Sequence, residues 1–148
     1  MPMSTTIDAN VLLYASNRDD PRHDAAQELI ERLAAGPDLL YLFWPVALAY
    51  VRIATRRDIF DDPLSLAKAC ADIAALLERP NVRSPSEGAG FWMRFQAIAS
   101  DAGARGNLVT DAHIATLMRQ YGVSTIWTHD RDFRLFDDIT AHDPFGAR

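Results

Sequence analysis

The chain has 148 residues, a formal charge of −5, one cysteine and four histidines, with 49% hydrophobic and 24% charged residues. This suits one soluble domain spanning 1–148 with a real core, and a single cysteine, Cys70, excludes an intramolecular disulfide. The negative balance excludes a protein that coats nucleic acid non-specifically, but leaves room for an enzyme that engages a few phosphates locally.

No apolar run reaches the roughly 18 residues of a membrane span. The N-terminus lacks a basic stretch followed by an apolar one, so neither membrane association nor a signal peptide is expected. A cytoplasmic setting fits, with secretion left open. Of the fifteen basic residues, fourteen are arginine. Arginine is the better bidentate phosphate ligand, although genomic base composition produces the same bias.

In chain order, "TTIDANVLLYAS" reads as a short strand over 4–8 leading into a turn and short helix. "HDAAQELIERLAAG" has a helical apolar period at Ala25, Ala26, Leu29, Ile30 and Leu33 and stops at Gly36. "DLLYLFW" is a continuous apolar run of strand length, flanked by Pro37 and Pro45, and predicts a strand buried on both faces. "PVALAYVRIATRR" opens with a proline at a helix start and runs to Arg57. "PLSLAKACADIAALLER" is a further helix closed by Pro80, and its spacing with Leu66, Ile73 and Leu77 predicts a buried, inert Cys70. "NVRSPS" predicts a short strand, then "GAGFWMRFQAIASDAG" and "NLVTDAHIATLMRQYG" two helices that each end at glycine. "VSTIWTHD" is a strand and "TAHDPF" a last edge strand. Strands alternating with helices define an α/β sandwich with a mainly parallel sheet, whose ligands collect beyond the carboxyl ends of the strands.

Two acids, Asp8 and Asp130, fall at such strand ends, about 120 residues apart in the chain. Asp111 lies in a helix, four residues after Asn107 and able to share its face. Each has an ordinary structural alternative. Asp8 or Asp130 caps the following turn, and Asp111 is a solvated residue near a helix N-terminus. Of the three, Asp8 has the least structural need in its strand context. Two carboxylates about 5 Å apart repel by roughly 3 kcal/mol at an effective dielectric of about 20. Three such groups on one rim therefore imply either a retained proton or a hard divalent cation. His23, His113, His129 and His142 are scattered without zinc spacing, so oxygen ligation of Mg²⁺ or Mn²⁺ is expected.

"TIDANVLLYA" with Asp8, "GNLVTDAHIATL" with Asp111 and "THDRDF" with Thr128, Asp130 and Asp132 together resemble the PIN-domain family, in particular the VapC toxins of bacterial toxin–antitoxin pairs. "FWPVALAYVRIATRRDIF" resembles the second strand and following helix of a subgroup common in mycobacteria and other actinobacteria. The resemblance covers almost the whole chain. It implies a PIN-like three-layer α/β/α sandwich with a mainly parallel sheet of four to five strands. It also implies a Mg²⁺-dependent endoribonuclease toxin, cleaving RNA such as tRNA or rRNA to slow translation. A homodimer restrained by a VapB-like antitoxin goes with it. Asp8, Asp111 and Asp130 then hold the metal, with Asp132 either a fourth acid or a rim residue paired with Arg131 or Arg134. Asn10 and Thr128 either orient a carboxylate or cap the backbone. Arg52, Arg56 and Arg105 are candidate phosphate contacts.

One departure stands out. Many PIN nucleases carry a glutamate in the helix after the second strand, where this chain has Ala49 or Tyr50. The rival reading is a PIN-fold module that binds RNA or protein without efficient cleavage. Large apolar residues in "WPVALAYVRIA" and "FWMRFQAIA" either form a groove for a partner helix or pack in the core, as expected for Trp44, Phe91, Trp92 and Phe95. Dimerisation is assigned to helices near 45–75.

Overall fold

The computed structural model describes residues 3–146. Five strands, β1 (Ser4–Ile7), β2 (Leu39–Tyr41), β3 (Val82–Arg83), β4 (Thr125–Trp127) and β5 (Thr140–His142), form one sheet in the order β3-β2-β1-β4-β5. Every pairing is parallel. The register sets Thr5 beside Leu40 and Thr6 beside Ile126, so β1 is the central strand. The chain moves outward from β1 through β2 to β3, then crosses back to β4 on the opposite side. The order therefore switches between β1 and β4, and the crevice beyond their carboxyl ends is the expected ligand position of such a sheet.

Six helices, α1 (Ala9–Ser16), α2 (His23–Ala34), α3 (Trp44–Ala54), α4 (Leu66–Leu77), α5 (Phe91–Asp101) and α6 (Asn107–Gln120), complete the expected α/β architecture. Helix α1 packs on α2 and α3, α3 on α4, and α5 on α6. The core runs through Ile7, Leu40, Leu42, Phe43, Ile114, Leu117, Met118, Ile126 and Phe133, all essentially sealed from solvent. At roughly 1.5–3 kcal/mol per fully buried large side chain, this layer dominates the stabilising terms.

Local sequence explains several boundaries. Ser65 caps α4 through its side-chain oxygen, which accepts from Lys68 N at 3.1 Å. Pro45 stands in the first turn of α3, where a missing N–H costs nothing. Helix α6 is entered from Gly106 at φ 59 and ψ −131, a backbone region that side-chain-bearing L-residues avoid.

Four expectations need correction. The run "DLLYLFW" is strand only over Leu39–Tyr41; Leu42 still donates its N–H to Arg83 O at 2.8 Å, Phe43 is buried beyond it, and Trp44 already belongs to α3. Helix α3 ends at Ala54 rather than Arg57, and Thr55 turns its hydroxyl back to Val51 O at 2.8 Å. Cys70 is exposed, because the inward stripe of α4 is set by Ala69 and Ile73 and Leu66 also faces water. Trp92 is 64% exposed rather than core, whereas Trp44, Phe91 and Phe95 are half-buried as packing residues.

Candidate metal centre

Asp8 follows β1 directly, Asp130 lies three residues beyond β4, and Asp111 stands in the second turn of α6. Carboxylate oxygens of these three residues lie within 4.8 Å of one another. Asp8 and Asp111 are buried, at 8% and 6% exposure, and Asp130 is half-buried. The two strand ends and one helix thus converge at the sheet's switch point.

Asp8 is also the N-cap of α1, with Oδ1 accepting from Ala9 N at 2.8 Å. The expectation that Asp8 has little structural need is therefore corrected: one oxygen starts a helix while the carboxylate belongs to the cluster. Its Oδ2 accepts from Thr128 Oγ1 at 2.8 Å and, more weakly, from Asn10 Nδ2 at 3.4 Å. The Thr128 hydroxyl itself accepts from Asp130 N at 2.9 Å and from Asn10 Nδ2 at 3.3 Å. One hydroxyl thereby uses its donor and both acceptor positions. Asn10 Oδ1 in turn accepts from His129 N at 3.3 Å. Asn10 and Thr128 therefore staple the β1 exit to the β4 exit, which fixes Asp8 against Asp130.

Asp130 Oδ1 accepts from Asp132 N at 2.9 Å and caps a 3-10 helix at Arg131–Leu135, an element the sequence did not reveal. Asp132 is exposed, lies outside the tight trio, and makes no ion pair with Arg131 or Arg134 among the described residues. Its charge still reaches Asp111.

Burial pushes the Asp8 carboxyl above its ordinary value; the Thr128 and Ala9 hydrogen bonds oppose this and the Asp130 charge adds to it. Asp111 is pushed up to about 8, first by burial and then by the charges of Asp130, Asp8 and Asp132. Its Oδ2 is buried and has no hydrogen-bond partner. A buried carboxylate oxygen without a donor normally costs about 1–3 kcal/mol or more. An all-oxygen, multiply acidic donor set with an orphaned oxygen fits a hard divalent cation.

The remaining candidates lie apart from the trio or at its margin. Asn107 is exposed in the first turn of α6 while Asp111 is buried, so the two do not share one environment. Arg52 and Arg105 are exposed, and Arg56 is held by Asp58 through Nε–Oδ1 at 2.9 Å and Nη2–Oδ2 at 2.5 Å. Tyr50, at the position of the absent family acid, is buried and donates its hydroxyl to Asp72 Oδ2 at 2.7 Å, on α4. Sequence reasoning missed a polar and aromatic cluster at the flank: Arg22 lies over the Tyr14 ring at 3.9 Å and His129 Nδ1 lies 2.9 Å from Asp143 Oδ2. Four separate segments build it, so no local motif announces it.

The PIN domain family matches residues 5–139. The chain belongs to the PIN-domain family. Its relatives there are VapC ribonucleases: it is 48% identical over 145 residues to Ribonuclease VapC48 of Mycobacterium tuberculosis, covering 98% of this chain and 100% of that protein. It is 35% identical over 142 residues to Ribonuclease VapC43 of the same organism, covering 96% of each. Among solved structures, M. tuberculosis VapC20, described as a Sarcin-Ricin loop cleaving toxin, superposes with TM-score 0.66 at 21% identity, over 88% of this chain and 92% of that one. A chain of Rickettsia felis VapBC2 bound to a promoter DNA fragment superposes with TM-score 0.67 at 16% identity, over 95% and 98%. These two likenesses define the fold.

Proposed function

We propose that this protein is a divalent-metal-dependent endoribonuclease, the toxin of a type II toxin–antitoxin pair, built as one PIN unit over the whole chain. The observation that carries the reading is the trio of Asp8, Asp111 and Asp130 with the partnerless Asp111 Oδ2 at its heart. Relatives named as ribonucleases support the same chemistry. Asp8, Asp111 and Asp130 hold the cation, Mg²⁺ or Mn²⁺, and Asp132 adds negative field from the rim. When bound, such a cation supplies Lewis acidity to the scissile phosphate and to water.

The chain's own residues do the rest. Thr128 and Asn10 lock Asp8 in one rotamer, so a ligand oxygen is positioned before substrate arrives. Thr128 also fixes the backbone at Asp130, and Asp130 fixes its own turn through Asp132 N. Asp111 would have to give up its proton to hold the cation, so binding would strengthen as pH rises toward 8. The substrate is an unpaired stretch of RNA, tRNA or rRNA, because catalysis needs a phosphate that can enter the crevice beside β1 and β4. A homodimer and a VapB-like antitoxin complete the system. Exposed Leu48, Trp92 and Met93 supply apolar surface for such contacts. No helix of the described residues is long and apolar enough to cross a membrane, and an RNA substrate fits a cytoplasmic setting.

The absence of an acid at Ala49 and Tyr50 favours one rival, an RNA-binding module without efficient cleavage. Incubating purified protein with total RNA, with Mg²⁺ or EDTA, separates the two. Discrete EDTA-sensitive fragments, lost about a hundredfold or more in Asp8→Asn, support the nuclease. A gel shift with intact RNA supports the binder.

A further inference from the structure

The flank of the acidic trio carries an ordered cluster that metal binding does not use. Arg22, in the α1–α2 connection, places its guanidinium carbon over the Tyr14 ring, 3.9 Å from the centroid. Asp20 holds it there through Nε at 2.9 Å and Nη2 at 2.9 Å, and also accepts from Arg22 N at 2.8 Å. Tyr14 is braced edge-to-face by His129 at 6.1 Å and Phe145 at 5.2 Å, and these two rings meet edge-to-face at 5.6 Å. The assembly abuts the trio. His129 immediately precedes Asp130, its amide donates to Asn10, and Asn10 donates to Asp8.

Tyr14 covers one face of the guanidinium and Asp20 takes one edge, yet about a third of the Arg22 side chain remains accessible. With Tyr14 on one face and Asp20 on the Nε–Nη2 edge, the opposite face and the Nη1 edge are where a ligand can approach. A phosphate approaching that edge would also meet the carboxylates of Asp20 and Asp143, which disfavours it. A base laid on the outer face meets no such repulsion, since stacking uses the plane and not the donors. We propose that the Arg22–Tyr14 stack, braced by His129 and Phe145, is a platform on which an unpaired RNA base next to the scissile phosphate stacks. The proposal rests on the ribonuclease reading for its substrate, but its test does not require cleavage.

The test measures binding of fluorescein-labelled (rA)12, and of an abasic ribose-phosphate 12-mer, by anisotropy with Ca²⁺ replacing Mg²⁺. Wild type is compared with Arg22→Lys, which keeps the charge and removes the plane, after thermal melts confirm that both are folded. The platform predicts about tenfold weaker binding of (rA)12 by Arg22→Lys and equal binding of the abasic chain by both proteins. Unchanged (rA)12 affinity in Arg22→Lys overturns it, as does an equal loss on both oligomers, which would make Arg22 a phosphate contact. Failure of wild type to bind (rA)12 at all overturns it too. Mg²⁺-dependent cleavage and its loss in Asp8→Asn report separately on the nuclease reading. A base-sensitive Arg22 effect in a protein that does not cleave would keep the platform and remove the nuclease.

Discussion

Replacing Asp111 by asparagine tests the electrostatics of the centre more directly than an activity assay does. The native Asp111 carboxyl titrates near 8 against an ordinary value of 3.8, so the folded state holds a proton that the unfolded chain releases. Below pH 4 the group contributes nothing. As pH rises from about 4 to 8 the unfolded chain ionises while the native state cannot, and stability falls throughout that window. The limit of this penalty is about 6 kcal/mol at 1.36 kcal/mol per pH unit. Exposed Asp132 and half-exposed Asp130 mark solvent on one side of the group, and screening there reduces the effect to roughly 2–4 kcal/mol. Asp111→Asn removes the titration and supplies an amide that can donate to Asp8 or Asp130. The variant should therefore be more stable than wild type at pH 8 in EDTA, with a flatter pH slope between 5.5 and 8.5. Asp20 and Glu87, whose values are lowered by Arg22 and His113 respectively, act below this window. Mg²⁺ should close most of that gap, since a ligand at a hundred times its Kd adds about 2.7 kcal/mol to a protein that binds it and nothing to one that does not. Urea denaturation at several pH values, with EDTA or Mg²⁺, measures all of this. Parallel pH profiles for the two proteins in EDTA would refute the placement of the retained proton on Asp111.

Two further perturbations separate positioning from folding. Thr128→Val keeps the shape but leaves Asp8 Oδ2 only the weak Asn10 contact and strands the Asp130 N–H, at roughly 2–4 kcal/mol in a denaturant titration and about 10- to 100-fold in RNA cleavage; Thr128→Ser should restore both. Gly106→Ala places a Cβ that meets no atom within 4 Å, so its cost is backbone strain alone, about 1–3 kcal/mol, read as a lower melting temperature with kcat and KM little changed at 25 °C.

The parts of the fold that periodicity encodes were legible. Alternating strands and helices give the parallel sheet, and the apolar face of α2 appears at helical spacing. What failed was any inference from apolarity to a particular backbone state. Phe43 is as buried as the ladder residues although it lies beyond the strand, because burial selects for hydrophobicity whatever hydrogen bonds the backbone makes. In α4 the alanine-rich sequence permits several helical phases, and the one the fold adopts buries Ala69 and Ile73 and leaves Cys70 exposed. Trp92 shows the converse, a large apolar side chain that the fold leaves in water. The acids of the site were legible as types at strand ends. Their partners were not, since Thr128, Asn10 and Arg22 matter only through contacts between segments far apart in the chain.

The same geometry bears on the missing acid. For Asp8 the sequence offered helix capping and metal ligation as alternatives, and the structure makes them compatible, because capping uses one oxygen and leaves the carboxylate in the trio. Three donors hold Asp8, while none reaches Asp111 Oδ2. The trio is therefore asymmetric: one acid is oriented in advance, and another has a raised pKa and an oxygen without a donor. A fourth carboxylate at Ala49 or Tyr50 would raise the affinity for the cation and, equally, the repulsion in its absence. With Tyr50 committed to Asp72, α3 contributes packing instead of charge. The centre consequently carries less repulsion when empty, and a cation bound there would have to compete with the Asp111 proton.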